Sequence, residues 1–110
     1  MKTSNIFNID NTLSAEQETF EKIFTSENVL IERIISTGQI TTEGEYYDQD
    51  QDEWVLLLQG YAIIVLDNSE KINLKTGDYI HIPAHQMHRV DFTSNLPACI
   101  WLAVHIKHNP

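Results

Sequence analysis

Cysteine is all but missing from this chain. Cys99 is the only one in 110 residues, so no disulfide can form within it, and a single thiol suits a reducing compartment. Flanked by Ala98 and Ile100, Cys99 reads as a small buried hydrophobe. Basic residues are scarce too: 7 Lys and Arg stand against 16 Asp and Glu, a formal net charge of −9. Nucleic-acid phosphates and anionic membrane surfaces both call for clustered cations, so neither is expected as a partner. No apolar run approaches the ~18 residues a membrane-spanning helix needs. Residues Met1 to Asp10 carry Lys2 but no apolar stretch of the secretory-signal kind. Repeats and low-complexity linkers are absent as well. Together these absences set the expectation of a cytoplasmic protein.

What is present is ordinary globular material, 42% hydrophobic and 21% charged. A chain of this size buries roughly 65% of its unfolded surface, enough for one domain with a real core. Residues 1–28 read as an N-terminal segment bearing one helix, Ala15–Phe24. Ser14 with Gln17 resembles a capping box, Glu16 and Glu18 suit the positive end of a helix dipole, and Phe20, Ile23 and Phe24 recur at helical spacing. Residues 29–110 change character. Val29–Ile35, Trp54–Leu58, Ala62–Leu66, Lys71–Leu74, Tyr79–Ile82, His88–Phe92 and Ala98–Ile106 are short, rich in β-branched residues and separated by turn signals such as Gln59-Gly60, Thr76-Gly77-Asp78 and Pro83. Many short strands without alternating helices predict an all-β sandwich or barrel. Gly60, between two apolar strands, reads as a turn position with positive φ.

Chemistry-bearing residues fall in two clusters. In Tyr79-Ile80-His81-Ile82-Pro83-Ala84-His85-Gln86-Met87-His88, period-two alternation puts Ile80 and Ile82 on one face and His81 on the other, outward. His88 opens the next strand and can point into a barrel, where a neutral imidazole can hold a metal or a hydrogen bond. In the second cluster, Tyr46 to Gly60, Glu53 shares a strand face with Val55 and Leu57. A carboxylate on an apolar face is costly unless paired or coordinated, which singles out Glu53 and leaves Asp50 and Asp52 as a solvated loop.

These clusters resemble the two motifs of the cupin superfamily. The second motif runs Gly, five residues, Pro, one residue, Gly, two residues, His. Here Gly77, Pro83 and His88 match, and His85 stands in place of the second glycine. The first motif ends Glu, six residues, Gly, matched by Glu53 and Gly60. The resemblance covers about residues 29–106. It implies a cupin-type double-stranded β-helix, a jelly-roll barrel, with the short N-terminal helix outside it. Cupin metal sites typically take two histidines and a glutamate from the first motif and a histidine from the second. The two first-motif histidine positions fall on Tyr47 and Gln49, or on Tyr46 and Asp48 under an alternative spacing, and no histidine precedes His81.

The resemblance therefore implies a weak divalent-metal site (Mn, Fe, Ni or Zn) at Gln49, Glu53 and His88, with Tyr47 and His85 in the ligand pocket. Without a metal, Glu53 and His88 are expected to hydrogen-bond each other or a water, and Tyr47, Glu53 and His88 to support acid–base work. Two functions stay open: a small-molecule-processing cupin, or a non-catalytic module that binds or senses a small ligand. A homodimer is expected, partly from the resemblance and partly because Ile6, Phe7, Ile9 and exposed sheet edges need a surface to cover.

Overall fold

The structure, a computed structural model, describes residues 1–9 and 16–108. Eight strands follow one another: β1 Thr19–Thr25, β2 Val29–Ser36, β3 Gln51–Gln59, β4 Tyr61–Leu66, β5 Lys71–Lys75, β6 Tyr79–Ile82, β7 His88–Thr93 and β8 Cys99–Lys107. They form a five-stranded sheet, β1-β2-β8-β3-β6, and a three-stranded sheet, β5-β4-β7. Every pairing between them is antiparallel. The all-β jelly-roll expectation holds, and all seven expected strands are present, Tyr79–Ile82 with its expected bounds and the others with shifted ends.

The expected helix Ala15–Phe24 is not there among the described residues. Ala15 lies outside them, and Thr19–Thr25 is β1, hydrogen-bonded along β2. The physical reason lies in the side chains. Thr19, Phe20, Ile23, Phe24 and Thr25 are β-formers, and a partner strand was available to pair with them. A bulge between Lys22 and Phe24 breaks the period of two. The apolar residues then fall at intervals of three and four, which mimics a helix.

The two sheets face each other across a core of Val55, Leu57, Ala62, Ile64, Leu74, Ile82, Cys99, Trp101 and Ala103. Cys99 is fully buried, and its thiol donates to the Tyr61 carbonyl at 3.1 Å. Gly60 has φ +95°, and a Cβ there would stand 2.6 Å from Ser94 Oγ, so the β3–β4 turn admits no side chain. The segment before β1 is tied down by Arg33 on β2, whose guanidinium donates to the carbonyls of Ile6 at 2.9 Å and Asn8 at 2.8 Å.

Register decides what faces inward. β8 lies between β2 and β3, with Glu32 opposite Ala103, Ile34 opposite Trp101 and Glu53 opposite His105. Alternation then puts Glu32 and Ile34, Trp101 and His105, and Glu53 and Val55 on the inner face of the large sheet.

Candidate functional site

Toward one end the barrel interior is not filled. A cavity of about 130 Å³ remains, with mostly apolar walls that include Ile34, Val55, Ile64, Ile82, Val90 and Trp101. Its polar lining is Glu18, Glu32, Tyr47, Gln49, Glu53, His88 and His105. Tyr47, Gln49, Glu53 and His88, singled out from the sequence, all line it. His85 does not: it sits on the turn beyond β6, exposed, with Nδ1 3.0 Å from Asp48 Oδ1. There it borders an adjoining open depression, lined also by Asp48 and by Glu32, Gln49 and His105, which it shares with the cavity.

The chain brings these residues together by pairing. Tyr47 and His88 form an isolated bridge, with Tyr47 N–H to His88 C=O at 2.7 Å and His88 N–H to Tyr47 C=O at 3.1 Å. Their rings lie 5.5 Å apart, tilted by 30°. His85 N–H donates to Gln49 C=O at 2.7 Å, which holds the 47–49 segment against the turn. The glycine of the cupin motif is explained here. His85 has φ +65°, the left-handed region that glycine enters at least cost and histidine enters more often than most residues.

His88 is 5% exposed, and its Nδ1–H donates to the Gln86 carbonyl at 2.9 Å. That bond fixes the tautomer of the neutral ring, so Nε2 carries the lone pair. Glu53 is paired differently from the sequence expectation. Its charged neighbour is not His88 but His105, whose Nδ1 lies 3.4 Å from Glu53 Oε2 and whose Nε2 lies 2.8 Å from Glu32 Oε1. One imidazole on the central strand thus spans two carboxylates from its neighbours. The contact with Glu32 is a hydrogen bond, and Glu53 stands at ion-pair distance on the other side of the ring. The cause is register, since β8 lies between β2 and β3 and Glu53 stands opposite His105.

A second relay reaches the cavity from the core. Trp101 Nε1–H donates to Ser36 Oγ at 3.1 Å, and the Ser36 hydroxyl donates to Glu18 Oε2 at 2.6 Å. The indole can only donate, so the direction of the chain is fixed and Glu18 ends it as acceptor. Tyr47 feels the result: burial, then the Glu18 charge, pushes its phenol above the ordinary value of 10.0, against a hydrogen bond to Thr41 that lowers it.

Glu18, Glu32, His105 and the Ser36–Trp101 pair were not picked out from the sequence. Glu32 shares a strand face with Ile34, and His105 shares one with Trp101 and Ala103. The same polar-on-an-apolar-face signal that marked Glu53 was therefore available for them. Among the described residues, no group of three or more His, Cys, Asp or Glu side chains is placed to hold a metal ion. The set Gln49, Glu53 and His88 offers two such side chains and an amide, and Glu53 is already turned to His105. These donors do not fit a resident metal.

Eight antiparallel strands in two facing sheets, with a cavity of apolar walls and polar groups between them, make a jelly-roll barrel. The cupin domain family matches residues 34–105, more than half of the chain, so the chain belongs to the cupin family. It is similar to a crystal structure from Ralstonia eutropha whose name proposes a mannose-6-phosphate isomerase: 38% identity, TM-score 0.90, 98% of this chain and 100% of that one. A cupin superfamily protein of Desulfitobacterium hafniense shares the fold, at 24% identity and TM-score 0.72 over 84% of this chain and 79% of that one. An uncharacterised protein of Methanocaldococcus jannaschii is 32% identical over 68 residues, 62% of this chain. That match spans about half, 52%, of the archaeal protein's length.

Proposed function

We propose that this cupin takes a small molecule into the barrel cavity and moves a proton on it, without a metal. The observation that carries the reading is His88. Its Nδ1–H is spent on the Gln86 carbonyl, and Nε2 has no hydrogen-bond partner among the described residues, although the ring is buried and lines the cavity. A buried imidazole whose remaining nitrogen is free suits a general base. Nε2 takes a proton from a ligand C–H or O–H, and the imidazolium returns it to a neighbouring atom, an isomerisation that needs no co-reactant. The Glu32–His105–Glu53 array supports charge that develops on the ligand. The sugar phosphate named for the Ralstonia eutropha protein is not carried over, because the cavity lining holds three carboxylates and no Lys or Arg. The test is a screen of polar fragments of about six to ten non-hydrogen atoms, the size such a cavity takes. Binding is read by ligand-observed NMR in deuterated water. The expected result is binding together with deuterium uptake into a bound fragment, and loss of the uptake in His88→Ala. Binding without uptake would instead support the ligand-binding or sensing module.

We also propose a homodimer. β1 is an edge strand that leaves Phe20, Ile23 and Phe24 more than half exposed. An open edge with apolar side chains is a surface that a second copy covers at little cost. Light scattering on a sizing column at micromolar concentration is expected to give twice the chain's mass, and a monomer mass would overturn it.

A further inference from the structure

The charge and the walls of the cavity point to one class of ligand. The chain has seven Lys and Arg, all at described positions, and none lines the cavity. Two that lie on its own strands are committed elsewhere: Arg33 to Glu21 at 2.7 Å and Arg89 to the Thr41 carbonyl at 3.2 Å. Three carboxylates face the cavity: Glu18, Glu32 and Glu53. Even with both lining imidazoles protonated, one of them stays unbalanced.

Acceptors are prominent in the lining, beside the Gln49 amide and the Tyr47 hydroxyl, which can also donate. Glu18 is held as an acceptor by the Ser36 hydroxyl. The free nitrogen of His88, a ring 5% exposed, is likewise an acceptor in the neutral form. A ligand that satisfies Glu18 and His88 must donate. The walls include the rings of Phe20, Tyr47 and Trp101, and an aromatic ring attracts positive charge to its face. The volume, about 130 Å³, compares with the ~150 Å³ cavity that holds benzene.

We propose that the ligand is a small organic cation, an ammonium on a short apolar body about the size of a six-membered ring. Its N–H groups reach Glu18, Glu32 or Glu53 and His88 Nε2, and its body lies against the aromatic and aliphatic wall. This rests on the reading of the cavity as a ligand site, and the test separates the two. Cyclohexylammonium, cyclohexanol and cyclohexanecarboxylate share one ring and differ in charge, and each is titrated into the full chain by calorimetry at pH 7 and low salt. Cyclohexylammonium is expected to bind about tenfold more tightly than cyclohexanol, and the carboxylate to be rejected. Glu18→Gln, which keeps an acceptor for Ser36, and Glu32→Gln should each weaken the cation several-fold and weaken cyclohexanol less, so that the preference for the cation narrows. Equal or tighter binding of the alcohol or the carboxylate overturns the cation and leaves the cavity as a ligand site. Failure of all three to bind overturns both.

Discussion

The five histidines divide between two regions of the molecule. His88 and His105 line the cavity, whereas His81, His85 and His108 lie outside it, each more than half exposed. All five face an oxygen. Outside, Asp52 joins His81 at 2.9 Å and His108 at 2.6 Å, and Asp48 joins His85. Inside, His105 spans Glu32 and Glu53, whose side chains are only 13% and 12% exposed. The contacts look alike, but their consequences differ with the surroundings. Water competes for and screens the outer pairs, so each is worth little. The inner carboxylates have given up most of their hydration, so removing the imidazole between them is costly.

The largest expected effect follows from that difference. His105→Ala leaves Glu32 and Glu53 facing each other without the imidazole between them, and about 3 kcal/mol of stability should be lost by urea denaturation at pH 7. His81→Ala should lose far less in the same measurement. Comparable losses would erase the distinction between the two regions.

A smaller effect tests the outer cluster through pH. The hydrogen bond from His108, followed by those from the Ala84 N–H and His81, holds the Asp52 carboxyl well below its ordinary value of 3.8. A carboxyl depressed in the folded state stabilises fully above its unfolded value, and that contribution fades as pH falls through the lower folded value. Asp52→Asn should therefore be less stable than the wild type at pH 5–6 and draw level with it in strong acid. Urea midpoints measured from pH 6 to pH 2 check this, and a constant gap would show that Asp52 acts through geometry rather than charge.

The smallest effect is at His85. A residue with a Cβ in the left-handed region carries a strain of about 1 kcal/mol that glycine lacks. The exposed pair with Asp48 offsets part of it. His85→Gly should gain less than about 1 kcal/mol. A clear loss would mean instead that the outer His85–Asp48 pair helps hold the Tyr47–Gln49 segment over the cavity, linking the two regions.

Much of this was legible in the sequence, and the gaps have identifiable causes. From β2 to β8, apolar alternation and turn residues mark each strand, because those signals are local and uninterrupted. β1 was misread because its bulge shifts Phe24 out of the period of two and into helical spacing with Phe20. Tyr47, Gln49, Glu53 and His88 are marked in the sequence because the two cupin motifs place them at fixed intervals, and all four line the cavity. Glu32 and His105 belong to no motif, and 73 positions separate them.

Composition and local pattern thus determined by themselves that residues 29–107 are strands and turns, in a chain that is acidic and without an internal disulfide, with Gly60 at a tight turn and Glu53 and His88 as its marked polar residues. They could do so because backbone preference and amphipathic period act over a few residues. Only the tertiary structure decided which partner each buried charge receives. Placing β8 between β2 and β3 gave Glu53 to His105 rather than to His88 and left His88 Nε2 free. It also brought Trp101, Ser36 and Glu18 into one donor chain. Such pairings depend on strand order and register, which are set by how the whole barrel closes and by no single segment of it.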